Sequence, residues 1–180
     1  MTVLITPSAV VAFWKEAGPG KWYKKDPGFD DLFSDVCQAA HFAAARRELD
    51  DWMSSAEGAL ALMILLDQYP RNSFRGTAHQ FATDPLARLF ARDAQTRSYL
   101  SAFAPELRQF LVMPLMHSES LADQDALLPL CADMPETLKY AHVHRDIIIR
   151  FGRFPHRNAA LGLETTANEQ AFLEGGGFGG

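Results

Sequence analysis

Two segments of this chain repeat one piece of chemistry. Asp67-Gln-Tyr-Pro-Arg-Asn72 and Gly152-Arg-Phe-Pro-His-Arg-Asn158 each set arginine and asparagine behind an aromatic-proline pair, after a strongly apolar stretch. The planar fork of arginine suits carboxylate and phosphate, which it grips through parallel N–H donors. Residues 66–77 hold Asp67, Arg71 and Arg75 for a net +1, and residues 141–158 hold Arg145, Asp146, Arg150, Arg153 and Arg157 for +3; the rest of this chain of net charge −5 therefore carries −9. Cations concentrated in this way on an acidic protein point to recognition of a small anion. The candidate ligand-binding residues are Asp67, Arg71, Asn72, Arg75, Arg150, Arg153, Arg157 and Asn158.

A third segment, Met113-Pro-Leu-Met-His-Ser-Glu-Ser-Leu-Ala-Asp-Gln124, supplies His117 and Glu119. Together with His156 these are the candidate catalytic residues, because imidazole exchanges protons near neutral pH and a carboxylate can assist it. Glu119 and Asp123 stand four apart and are expected on one helix face, where like charges repel unless a cation lies between them. The preferred reading gathers all these side chains in one pocket that binds a small phosphate or carboxylate and could act on it. Two other readings compete: a helical scaffold whose groove takes an acidic peptide or a helix of a protein partner, and a purely structural ion-pair network that fixes how the helices cross.

Asp67 sharpens the choice. It shares a face with Leu60, Met63 and Ile64 and is expected at a helix C-terminus, where the macrodipole disfavours negative charge. A cationic partner is required, and Arg71, Arg75, Arg150 and Arg153 are the candidates. His117, His142, His144 and His156 bring metal binding to mind, but no His-Glu-x-x-His or His-x-x-x-His pair occurs, so no metal is expected. His144 aligns with Tyr140, Ile147 and Ile148 and is expected as a hydrogen-bonded core histidine. Neither a Gly-x-Ser-x-Gly elbow nor a phosphate-cradling or dinucleotide glycine motif is present, and no cofactor is expected.

The frame that must hold these groups is 180 residues long, 48% hydrophobic and 22% charged, which predicts one domain over 1–174 followed by a flexible glycine-rich tail, 175–180. Negative net charge repels phosphate backbones and anionic lipid, so neither nucleic acid nor a membrane is an expected partner. The two cysteines, Cys37 and Cys131, have no framework spacing, and the first residues lack a basic segment followed by an apolar run; a cytoplasmic location is expected.

Helical spacing runs through the chain. Thr6-Pro7 starts a first helix that Gly18-Pro19-Gly20 stops, and Phe29, Leu32, Phe33, Val36 and Ala40 mark a second to about Arg47. Ser54 and Ser55 cap a third, Ala56 to Tyr69, apolar on every face at its middle and expected to end before Pro70. Asp84-Pro85 and Pro105 start two more. The stretches around Leu121 to Leu130 and Pro135 to Phe151 follow, with Thr166-Ala-Asn-Glu169 as a capping box for the last. The fold class is all-α, about eight helices packed as helical hairpins, with no detectable repeat at the tetratricopeptide period.

The segments Leu65-Leu-Asp-Gln-Tyr-Pro-Arg-Asn-Ser-Phe-Arg-Gly-Thr77, Met116-His-Ser-Glu119 with Asp123-Gln124, and Phe151-Gly-Arg-Phe-Pro-His-Arg-Asn158 with Leu161-Gly162 resemble the bacterial domain-of-unknown-function family numbered 924. The likeness extends over essentially the whole chain. It implies an all-helical fold grouped with tetratricopeptide-like superhelices and carries no agreed activity. The family pattern tends to place arginine after Leu-Gly, where this chain has Leu163.

Overall fold

The structure, a computed structural model, describes residues 5–179. Residues 1–4, where the stretch read against a leader begins, and Gly180 of the glycine tail lie outside the described residues. Every regular element among the described residues is helical, and no helix there is long and apolar enough to cross a membrane. The chain divides into two compact units: residues 1–75 with 79–114, and residues 76–78 with 115–180.

In the first unit, helices begin where short polar side chains and prolines place them. The Thr6 hydroxyl accepts the Ala9 N–H to start α1 (Pro7–Ala17). A short α2 (Pro19–Trp22) follows, and Asp26 caps α3 (Pro27–Ala45) by accepting from Phe29. Ser55 caps α4 (Ala56–Met63) through the Gly58 N–H. These caps satisfy N–H groups that have no partner within a helix, each contributing about 1 kcal/mol.

From Ala59 to Leu66 every side chain is fully buried, as expected for a helix apolar all round. Phe33 and Phe110 both pack on Trp14, each with its ring centroid 5.3 Å from that of the indole. The remaining elements are α5 (Tyr69–Ser73), α6 (Asp84–Thr96) and α7 (Pro105–Met116), the last crossing into the second unit at Leu115.

One expectation fails here: the helix does not stop before Pro70. Tyr69 is helical (φ −51°, ψ −49°), and the chain passes from α4 through a π-helical turn, Ile64–Gln68, into α5. The wider turn is the physical solution. The Tyr69 N–H reaches back five residues to the Ile64 carbonyl, which leaves the Leu65 carbonyl without its usual donor. Pro70 has no N–H to offer Leu66. Side chains from elsewhere fill both vacancies: His41 Nδ1 lies 2.8 Å from the Leu65 oxygen, and the Thr83 hydroxyl donates to the Leu66 oxygen at 2.6 Å.

In the second unit, α8 (Leu121–Leu130) packs on α9 (Pro135–Phe151). α9 ends at Gly152, whose φ of +70° turns the chain. Phe154 is then extended (φ −91°, ψ 107°), as the residue before a proline should be, so this exit follows expectation where the one at Pro70 does not. A 3-10 turn, Pro155–Arg157, leads to α10 (Asn158–Leu161), and the predicted capping box at Thr166 and Glu169 opens α11 (Ala167–Glu174).

Glu119 and Asp123 do not share a helix face, because Glu119 precedes the first residue of α8. Asp123 instead accepts from the Ser118 hydroxyl at 2.6 Å, and the Glu119 carboxylate accepts the Phe154 N–H at 2.9 Å.

Candidate anion-binding site

In the first unit, Asp67, Arg71, Asn72 and Arg75 all lie on the π turn, on α5 or just beyond it, one helical turn after another, and each is engaged. Arg71 Nη1 stands 3.1 Å from Asp67 Oδ1 and 2.9 Å from Asp84 Oδ1, while Nη2 donates to Asp84 Oδ2 at 3.0 Å. Nη1 also reaches the Asp67 carbonyl at 2.7 Å. Burial alone would depress this guanidinium, but Asp67 and Asp84 outweigh it and hold Arg71 above its ordinary value. Asp67 thus finds its required cation in the nearest of the four candidates. Gln68 donates to its other oxygen at 2.6 Å. Asn72 and Arg75 both turn to Asp30 on α3, at 2.7 and 3.2 Å.

In the second unit the arginine-bearing segment is organised around Glu169, a carboxylate 3% exposed that the sequence reading treated only as a capping group. Arg153 grips it through both arms, Nε to Oε1 at 2.6 Å and Nη2 to Oε2 at 2.8 Å, and also donates to the Glu164 carbonyl. The Thr166 N–H and Asn158 Nδ2 add donors at 2.8 and 3.4 Å. The Arg153 hydrogen bonds, followed by that of Thr166, pull the Glu169 carboxyl down to about 2. Spacing could have named Glu169 as a cap, but its pairing with a residue sixteen positions away had no local signal.

His117, Glu119, His156 and Arg157 gather near Phe154. Arg157 lies over the Phe154 ring with its carbon 4.5 Å from the centroid, donates to the His117 carbonyl at 2.9 Å and stands 4.0 Å from Glu119. The His156 ring is 5.7 Å from Phe154. His144, buried as expected with Nδ1 2.8 Å from the Tyr140 carbonyl, is 5.5 Å from the same ring and 6.2 Å from His117. Among the described residues no group of three or more His, Cys, Asp or Glu is arranged to hold a metal ion.

Arg150 is placed differently from the other arginines. It is exposed and makes no ion pair among the described residues; its guanidinium lies 4.6 Å from the Phe151 centroid and 5.4 Å from that of Phe172. It lines an open cleft of ≈ 650 Å³ with Phe151, Arg153, Thr166, Asn168 and Glu169.

The fold is shared with a solved structure. The chain is similar to the protein of unknown function ATU0120 from Agrobacterium tumefaciens, whose solved structure matches with a TM-score of 0.92 and 52% sequence identity over 94% of this chain and 97% of that one. No curated protein matches. Residues 10–177 match the family described as bacterial protein of unknown function (DUF924), and the chain belongs to that family.

Proposed function

We propose that the second unit binds a small anion, a carboxylate or a phosphate, in the cleft lined by Arg150 and Arg153. The observation that carries this reading is the state of Arg150: a guanidinium resting on two aromatic rings, lining a cleft and without a carboxylate partner among the described residues. Cation–π contact holds such a group in place while leaving its N–H donors available. Arg153 and Glu169, which also line the cleft, neutralise each other, so Arg150 supplies its net positive charge, and Thr166 and Asn168 bring hydroxyl and amide groups to the same cleft. The candidate catalytic residues His117, Glu119 and His156 are not among the side chains that line this cleft, so the reading is one of binding.

The test is a thermal-shift and calorimetric titration with inorganic phosphate, pyrophosphate, acetate and succinate, at low and high salt. A ligand that binds only the folded state stabilises it by about 2.7 kcal/mol at a hundred times its dissociation constant. A saturable rise that vanishes in Arg150→Ala is expected. A rise that Arg150→Ala leaves intact would sink this reading.

A second reading applies to the first unit. Arg71 sits between two buried carboxylates, which supports a structural clamp there in place of a ligand site. The two free cysteines, both buried, are in keeping with a reducing cytoplasmic setting.

A further inference from the structure

The glycines after α11 do specific work. Gly177 N–H donates to the Phe172 carbonyl at 2.9 Å and Gly176 N–H to the Leu173 carbonyl at 3.3 Å, with Gly176 at φ +81°. This pair of bonds, with a left-handed residue between helix and tail, is the Schellman cap. Gly177 then lies flat on Phe172, so close that a methyl group built on it would meet ring carbons at 2.5–2.6 Å. A side chain at 177 would force the chain and that ring apart.

The cap therefore aims the next residue. The Phe178 ring sits 4.5 Å from the His144 centroid and 5.4 Å from that of His156, half-buried against Ile147, Ile148 and Phe154. One aromatic ring thus fills a slot walled by two imidazoles. Two arginines lie on neighbouring rings: Arg157 over Phe154, which contacts both histidines, and Arg150 over Phe172, the ring on which Gly177 rests. A ring held there by a single side chain on a short glycine strap is an internal stand-in for a ligand.

We propose that the slot on His144 and His156 is a ring-binding site that Phe178 occupies in cis, and that the ligand of this unit is an aryl anion. Its ring takes the place of Phe178 and its carboxylate or phosphate meets Arg150. This inference rests on the anion reading above for the charged half of the ligand, and on the strap geometry for the ring.

The experiment compares phenylacetate and phenyl phosphate with acetate and inorganic phosphate, and with uncharged benzyl alcohol, by calorimetry on the full chain. Wild type, Phe178→Ala and Gly177→Val are used, the last lifting the strap by its clash with Phe172; far-ultraviolet dichroism and melting establish that each is folded. Both variants are expected to bind phenylacetate and phenyl phosphate about tenfold or more tightly than wild type, the gain equivalent to burying a freed aromatic ring. Acetate should be unchanged, and Arg150→Ala added to Phe178→Ala should remove the gain for aryl anions. If neither variant gains on aryl ligands, the ring site is overturned, whatever inorganic phosphate does. If benzyl alcohol gains as much as phenylacetate, an aryl-anion ligand is overturned, while the anion reading stands or falls separately with inorganic phosphate and Arg150→Ala.

Discussion

His41 Nδ1 and the carbonyl oxygen of Leu65 are 2.8 Å apart, a contact that depends on the π turn ahead of Pro70. The ring is fully buried, stacked 4.7 Å from Tyr69, and its Nε2 lies 3.1 Å from His79 Nε2. Because Nδ1 must carry the proton to donate to Leu65, Nε2 accepts and His79 donates. Burial, opposed by the Leu65 bond and aided by His79, lowers His41 from 6.5 to about 4.

The pH dependence follows from that shift. The folded state resists protonation more than the unfolded chain does, so the neutral ring's stabilisation is complete above 6.5 and is lost as pH falls towards 4. The loss is on the order of 3 kcal/mol at its full extent. Urea midpoints measured from pH 7.5 to 4 should fall along this window. In His41→Asn, whose amide can still donate towards Leu65, the decline should be shallower; an identical decline would assign it to other groups.

Thr83 closes the other open carbonyl of the same turn, that of Leu66. Thr83→Val leaves that buried oxygen without its donor and is expected to cost about 1–3 kcal/mol, while Thr83→Ser should cost less than half as much. Paired urea denaturation curves decide it, and equal losses would show that the methyl group matters as much as the hydroxyl.

Arg71 and Arg75 should behave oppositely although four residues separate them. Arg71→Met strands Asp67 and Asp84, both buried, and is expected to destabilise by about 3–5 kcal/mol. Arg75 is exposed where it pairs with Asp30, so Arg75→Ala should cost about 0–1 kcal/mol. Guanidinium denaturation compares the two directly. A mild effect at Arg71 would remove the clamp reading for the first unit.

Acid should report on Arg153 and Glu169. Glu169 is held at about 2, below its ordinary 4.5, by the Arg153 fork first and the Thr166 N–H second. The stability this pairing supplies is complete above 4.5 and drains away as pH falls through about 2. In Arg153→Gln the carboxyl, followed by carbon-detected NMR, should titrate nearer 4.5, and acid unfolding should begin at higher pH. A carboxyl that still titrates near 2 would transfer the effect to Thr166.

The sequence by itself determined most of the longer helices and several of their first contacts. Thr6, Asp26, Ser55 and the Thr166–Glu169 box start helices because a cap bonds to an N–H only two or three residues ahead. The need of Asp67 for a cation was legible too, and its partner proved to be Arg71, one helical turn on. The helix through Pro70 was not legible, because the local preference of a residue before proline was overridden by His41 and Thr83, which arrive from α3 and from the turn before α6.

Asp30, Asp84 and Glu169 likewise became partners of arginines 45, 13 and 16 residues away, and Phe178 met His144 only once α11 was capped and laid beside α9. Such pairings depend on which faces of separate helices come together. That choice is made by burial of the apolar stripes, which carry no instruction about the polar residues at their edges. The residue types able to do chemistry could therefore be named from spacing, while their division into clamped ion pairs, an Arg150 resting on aromatic rings and an aromatic slot was decided by tertiary packing.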